Sequence, residues 1–392
     1  MRLKSFGSRN LRFAKELLPA LLLLFSAGAA GANVVYTAVG AGSSTASVGV
    51  IGISSAASVD VRPSVLTGRP ADAAVYAFRR DGGQYVLVSH PDRTSGDAVY
   101  VYSAARGWNA PVASADWPGV RGVRDMDVSD NGRSLFAAAY DSGSVVEIRT
   151  ETLLPTGNAL TLSADGGSAH GQRIRVRGKE IYALLTAGNA NGDNVSGWLF
   201  RLDGRLVPYA SFDLGAGATD MALYDDEKVL ALVYGNGDGI KVYQPGRGKF
   251  KDLVNGSGGY GDIVSVCEDG GSSIYFIAQT ASGADALYHW KDSAAAEVWR
   301  SADAPKDGVR RLVWDAGGKA LAATTGDRVL IFKEDALVRT LTSGDLGGTV
   351  TSLATFNEAG NEDDGDSGFC SALGLGAAAL FLPLALLRRR RA

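Results

Sequence analysis

An all-β ring of seven four-stranded antiparallel blades, a β-propeller, is the fold this sequence predicts, and three observations predict it. Residues 33–357 show almost no helical periodicity; short runs alternate apolar and polar residues between clusters of Gly, Asp, Asn and Ser. One strand–turn–strand–turn–strand unit recurs along that stretch at blade-sized intervals. The strands left over at its two ends make up one further blade. A signal peptide precedes the ring in this reading, and a hydrophobic helix follows it.

The unit is clearest from Val123 onward. A strand over 123–128 meets the turn Ser129-Asp130-Asn131-Gly132, a second strand fills 134–139, Asp141-Ser142-Gly143 turns again, and a third strand covers 144–148. Residues 153–160 supply the fourth strand of a propeller blade. First strands begin near Asp72, Asp125, Arg173, Asp220, Asp262 and Arg311, at intervals of 53, 48, 47, 42 and 49 residues. Third strands recur at 98–102, 145–148, 197–202, 240–243, 286–290 and 328–332, so six blades are visible. The remainder is one strand at 350–356 and three at 34–39, 47–53 and 59–66. Together they predict a seventh blade whose inner strand comes from the C-terminal side and whose outer strands come from the N-terminal side. Such a blade closes the ring and leaves no edge unpaired.

The pattern of turns and strands over 125–150 resembles the YVTN and WD-repeat class of propellers. The resemblance is to the class as a whole and covers residues 33–357, because no blade carries a full Gly-His to Trp-Asp signature.

The two ends read as addresses. In residues 1–32, Arg2, Lys4, Arg9, Arg12 and Lys15 precede an apolar stretch from Leu17, and Ala30-Gly31-Ala32 supplies small residues for cleavage after Ala32. The alternative, an uncleaved anchor, has only the short apolar core 17–25 with which to span. After the propeller, an acidic, glycine-containing linker at 358–368 leads into Ser367-Gly368-Phe369-Cys370, an apolar run and Arg388 to Arg391. The run 369–387 is long enough, at about 1.5 Å per residue, to cross a hydrocarbon core of about 30 Å, with the arginines held in the cytoplasm. This layout resembles the C-terminal sorting tails of bacterial surface proteins, above all the Synerg-CTERM type. The resemblance implies that 369–392 is a transmembrane sorting tail, that an intramembrane sorting protease cuts near the motif, and that Cys370 is a point of processing or modification.

Charge narrows the partners. The whole chain has a net charge of −3, but without the basic ends residues 33–366 hold 30 bases and 41 acids, a net of −11. So acidic a domain repels phosphate backbones, and nucleic acid is not an expected partner. Of two cysteines, Cys370 lies in the tail, so Cys267, in an apolar strand context, has no partner in the folded region and reads as a small buried hydrophobe.

Aligning the first strands puts Asp72, Asp125, Arg173, Asp220, Asp262, Arg311 and Ser352 at one position. Inner strands surround the channel of a propeller, so these residues are expected as a polar ring at its mouth, suited to a cation, a sugar or a peptide terminus. The competing reading has the acids capping turn amides or pairing with an arginine one blade away. Asn189, Asn191 and Asp193 space oxygen ligands two apart, as calcium loops do, without the downstream bidentate glutamate; Asn and Gly equally serve hairpin turns. No other cofactor is expected. Gly256 to Gly261 joins two strands and opens no helix, so it is a connecting loop rather than a phosphate cradle. His90, His170 and His289 stand singly in different blades, and the six tryptophans are expected to fill space between sheets.

Two functions fit. The first is an exported, envelope-anchored or surface-displayed propeller acting as a non-catalytic binding or scaffold module for a protein or glycan. The second is an extracytoplasmic metal-dependent hydrolase, resembling the propeller lactonases, that uses the channel-mouth acids to activate water. Arg173 and Arg311 count against the second, because they bring positive charge into the proposed metal ring.

Overall fold

The computed structural model describes residues 34–357, apart from 55–57, 81–82, 91–95, 109, 130–131, 162–167, 179, 189–193, 215–217, 225–228, 235–238, 245–248, 256–259, 270–272, 281, 303–309 and 326. Two compact units divide the chain, 1–359 and 360–392, and every described residue lies in the first. Ala32, Cys370, the calcium-like run 189–193 and the tail fall outside the described residues. Among the described residues no helix is long and apolar enough to cross a membrane.

Seven four-stranded antiparallel blades make up the unit. Their inner strands are Val75–Arg80, Val123–Val128, Ser168–Arg177, Ala218–Tyr224, Asp262–Glu268 and Arg311–Asp315 for blades 1 to 6, and Thr349–Asn357 for blade 7. Blade 7 is completed by Val34–Val39, Thr45–Ile53 and Val59–Pro70, so both ends of the domain meet in one sheet, as the leftover strands predict. Register fixes the closure: Val34 lies opposite Thr355, Tyr36 opposite Leu353 and Val39 opposite Thr349. The inner strand of blade 7 also runs briefly parallel to that of blade 1, pairing Phe356 with Ala77 and Asn357 with Phe78. The helical content of the described residues is one turn of α-helix, Ser343–Leu346, and the 3-10 turn Ala104–Arg106.

Burial follows each strand's place in its blade. Second strands are covered on both faces by neighbouring blades, which is why they read as unbroken apolar runs such as Leu135-Phe136-Ala137-Ala138-Ala139, all buried. Fourth strands face solvent on one side and alternate, as in Pro155–Thr161 from Thr156 onward. Seven apolar clusters result, one at each blade-to-blade interface. Trp117, Met126 and Leu135 fill that between blades 1 and 2, and Val34, Tyr36 and Ile331 that between blades 6 and 7. All six tryptophans are buried or half-buried, and the Trp117 indole donates to Leu153 O at 2.7 Å, tying blade 1 to blade 2. Cys267 packs between blades 5 and 6, where burial pushes its thiol pKa up, as suits a small hydrophobe.

Candidate functional site

Five inner strands carry a one-residue bulge at the same place. Register slips between Val123 and Asp125, Gly171 and Arg173, Ala218 and Asp220, Ile263 and Ser265, and Val350 and Ser352. A bulge re-aims the side chain that follows it. In blades 2, 4, 5 and 7 that side chain is an oxygen acceptor, and it takes the backbone N–H of the next blade's inner strand. Asp125 accepts from Ile174 N at 3.1 Å, Asp220 from Val266 N at 3.1 Å, Ser265 from Leu312 N at 3.3 Å and Ser352 from Val75 N at 3.3 Å. Each acceptor therefore reaches the amide just after the equivalent residue of the next blade, which makes the true ring Ala74, Asp125, Arg173, Asp220, Ser265, Arg311 and Ser352.

Asp72 and Asp262 do not belong to it. Asp72 lies in the turn before its strand and is exposed; Asp262 opens its strand opposite Gln279, ahead of the bulge, and is exposed. Aligning the first strands by where each begins misplaces them, because turn lengths differ between blades and a bulge adds a residue that no sequence pattern announces.

Ion pairs fill the channel end. Arg173 Nε donates to Asp220 Oδ1 at 2.6 Å, and Arg175 Nη1 to Asp125 Oδ2 at 2.6 Å. Arg311 reaches from blade 6 to the other oxygen of Asp125, in blade 2, at 2.8 Å. Further along, Arg177 of blade 3 reaches Glu268 of blade 5 at 2.9 Å. Asp127, one step below Asp125 on the same face, accepts from Val176 N at 2.8 Å and from the Tyr76 hydroxyl at 3.1 Å. The alternation of Arg173, Arg175 and Arg177 with Ile174 and Val176 explains the arrangement: the apolar pair packs against blade 2 and the guanidiniums take the other face.

Electrostatics follow. Burial alone would raise the Asp125 pKa, but Arg175, Arg311 and Arg173, with the Ile174 amide, bring it down to about 2. For Asp127 burial prevails over Arg175 and Arg177, and its pKa is raised; burial likewise raises that of Glu268 against Arg177. Burial lowers the pKa of Arg311, and at Arg124, an exposed residue whose guanidinium is sheltered against Tyr140, lost hydration acts in the same direction; neighbouring guanidiniums add to both effects.

Arg124, the bulge residue of blade 2, extends the cluster outward. Its guanidinium lies 4.2 Å from the Tyr140 ring centroid and donates to Gln172 Oε1 at 2.6 Å, while His170 stacks on Tyr140 at 4.0 Å. Gln172 is the bulge residue of blade 3 and is fixed by its own bond to Thr186 Oγ1 at 2.8 Å. These outer contacts join residues from two blades, so sequence reading did not single out Arg124, Gln172 or Tyr140.

A second constellation was equally hidden. His289 Nε2 lies 2.8 Å from Ser273 Oγ, and its Nδ1 lies 2.9 Å from Asp335 Oδ2 of the next blade. These residue types relay protons in acyl-transfer sites. Here the Ser273 hydroxyl also meets the Asp269 carboxylate, Ser273 is 2% exposed, and the Tyr275 hydroxyl donates to Asp335 at 2.8 Å. A hydroxyl sealed from solvent and shared with a second carboxylate is not placed to attack a substrate. The constellation fastens blade 5 to blade 6. Among the described residues no group of three or more His, Cys, Asp or Glu side chains is arranged to hold a metal ion.

No known family model and no curated protein sequence matches the chain. Solved structures do. A periplasmic gluconolactonase from Pseudomonas aeruginosa is similar at a TM-score of 0.59 and 14% identity, over 83% of this chain and 99% of that one. A protein from Lactobacillus plantarum is similar at 0.62 and 10%, over 83% and 99%. The WD40 domain of Toxoplasma gondii coronin is similar at 0.52 and 14%, over 79% and 76%. The chain is a β-propeller. Identities this low carry the fold and nothing of the chemistry.

Proposed function

We propose that the protein is an exported, envelope-anchored or surface-displayed propeller that serves as a non-catalytic binding or scaffold module, with the arginine-lined channel mouth as its ligand seat. One observation carries this: the ring acids are already engaged. Asp125 holds Arg175, Arg311 and the Ile174 amide, and Asp220 holds Arg173, the Ser265 hydroxyl and the Val266 amide. Carboxylates bound in this way are braces between blades, not open ligands for a metal that activates water. The lactonase alternative draws on shared fold alone and needs those acids free.

Export and anchoring rest on residues 1–32 and on the Synerg-CTERM-like tail, with a sorting protease and the membrane as partners. Mass spectrometry and fractionation of native cells test that part. A mature chain ending near Cys370, released into the medium when the tail is deleted, supports display; a full tail retained in the inner membrane overturns it. For the binding reading, the purified protein is assayed for metal content and for hydrolysis of gluconolactone. Stoichiometric metal with chelator-sensitive turnover overturns it; a protein free of both, with a saturable ligand at the mouth, supports it.

A further inference from the structure

The mouth does not balance its own charge. Arg124, Arg173, Arg175 and Arg311 bring four guanidiniums, and the carboxylates bonded to them are Asp125 and Asp220 alone among the described residues. Further down the channel, Glu268 pairs with Arg177, and Asp127 lies between Arg175 and Arg177, so the guanidinium that no carboxylate matches is Arg124, bonded instead to Gln172. The surplus therefore sits at the outer end, in a domain whose overall charge is strongly negative.

Donors are spare as well as charge. Arg311 spends only Nη2, Arg173 leaves Nη2 over after Asp220 and Gln172 O, and Arg124 keeps donors beyond those that meet Gln172 and Tyr140, counting partners among the described residues. Orientation is set in advance: Arg124 is held by Gln172 and the Tyr140 ring, and Arg311 and Arg173 by their carboxylates. A planar guanidinium that keeps one edge on a protein carboxylate and offers the other is a recurrent way to hold carboxylate or phosphate oxygens. The acidic exterior turns away long polyanions, whereas a compact anion feels chiefly the nearby arginines.

We propose that the channel mouth binds a small, doubly charged oxyanion between Arg124, Arg173 and Arg311. The inference rests on the reading of the mouth as a ligand seat and adds the chemistry of the ligand. Two sources share that chemistry, a phosphate group and a small dicarboxylate.

Equilibrium dialysis of the full chain against labelled inorganic phosphate and, separately, against succinate, at fixed ionic strength, tests it. Saturable binding of either probe is expected, phosphate alone marking a tetrahedral ligand and succinate alone a dicarboxylate. R124Q should weaken it about tenfold or more, and because Arg124 is exposed and its one bond to another blade among the described residues runs to Gln172, thermal stability should fall only slightly. R339Q, on the solvent side of blade 6, should leave it unchanged. The proposal is overturned if folded wild-type protein binds neither probe, or if R124Q binds as well as wild type. A neutral glycan that saturates an R124Q-sensitive site while both anions fail would sink the anion and keep the ligand seat. Anion binding accompanied by gluconolactone turnover would keep the anion and sink the non-catalytic reading.

Discussion

Arg311 Nη2 and Asp125 Oδ1 meet at 2.8 Å, and the bond spans the ring from blade 6 to blade 2. The Asp125 side chain is 2% exposed and carries Arg175 on its other oxygen. Removing it leaves two guanidiniums without their counter-charge. D125A should therefore cost about 3–5 kcal/mol in urea denaturation, as for other buried pairs broken on one side. R311M should cost less, because Asp125 retains Arg175 and the Ile174 amide. Equal costs would mean that the cross-channel bond contributes as much as the rest of the Asp125 environment.

The acid limb of stability should belong largely to Asp125. Its folded pKa, about 2, lies below the ordinary 3.8, so between those values the unfolded chain binds more protons than the native one. The stabilisation, about 2 kcal/mol, is full above the ordinary value and disappears as pH falls through the folded one. Asp127 and Glu268 act oppositely: their raised pKa values make the native state bind more protons, so lowering the pH toward the ordinary carboxylate range relieves a penalty. Melting temperature followed from pH 7 to 2 should pass through a maximum near about pH 4 to 5 and then fall. D125N should flatten the fall; an unchanged acid limb in that variant would assign it to other carboxylates.

Ring closure depends on a strand that sequence order places last. The strand Thr349–Asn357 pairs with Val34–Val39 and, briefly, with the inner strand of blade 1. Deleting 350–357 removes the inner strand of blade 7 together with Val350, Leu353, Ala354 and Phe356 from two interface clusters. The melting temperature should drop by more than about 10 °C and cooperative unfolding should be lost. Calorimetry showing a single unshifted transition would count against closure at this joint.

Gly171 sits where the inner strand of blade 3 passes close to the backbone of blade 2. A Cβ there would lie 2.8 Å from both Ala139 N and Ser144 O, backbone atoms that no rotamer change can move aside. G171A should destabilise by about 1–3 kcal/mol, in keeping with other overpacked sites. It should also displace the adjacent Gln172 and Arg173, so anion binding at the mouth should weaken in the same variant.

The Ser273–His289–Asp335 constellation gives the contrasting case. D335N removes the carboxylate that receives both His289 and Tyr275 across the blade 5 to blade 6 interface. Stability should fall by about 1–3 kcal/mol, the range for an unsatisfied buried donor, while binding at the mouth stays as in wild type. A hydrolytic activity abolished by S273A with stability retained would instead make this a reactive centre.

The blade count, the strand order and the closure by both ends were all legible from local pattern, because each blade repeats a strand length, a turn chemistry and an apolar second strand such as 135–139. The ring position was legible for Asp125, Arg173, Asp220, Arg311 and Ser352. It failed at Asp72 and Asp262, where Ala74 and Ser265 take the place. Neither Ala74 nor Ser265 stands out in sequence, and only hydrogen bonding to the next blade defines the equivalence.

The sequence by itself determined the repeat and the acidic charge of the domain, since these depend on the order of residues along the chain and on summed charge. What only the tertiary structure decided is which charges meet. Arg311 and Asp125 are 186 residues apart, and their contact depends on bulges and ring curvature that bring opposite blades to one axis. That geometry turns the ring acids into braces and leaves surplus guanidinium at the mouth, because a buried carboxylate is held by whichever donors the folded ring places beside it.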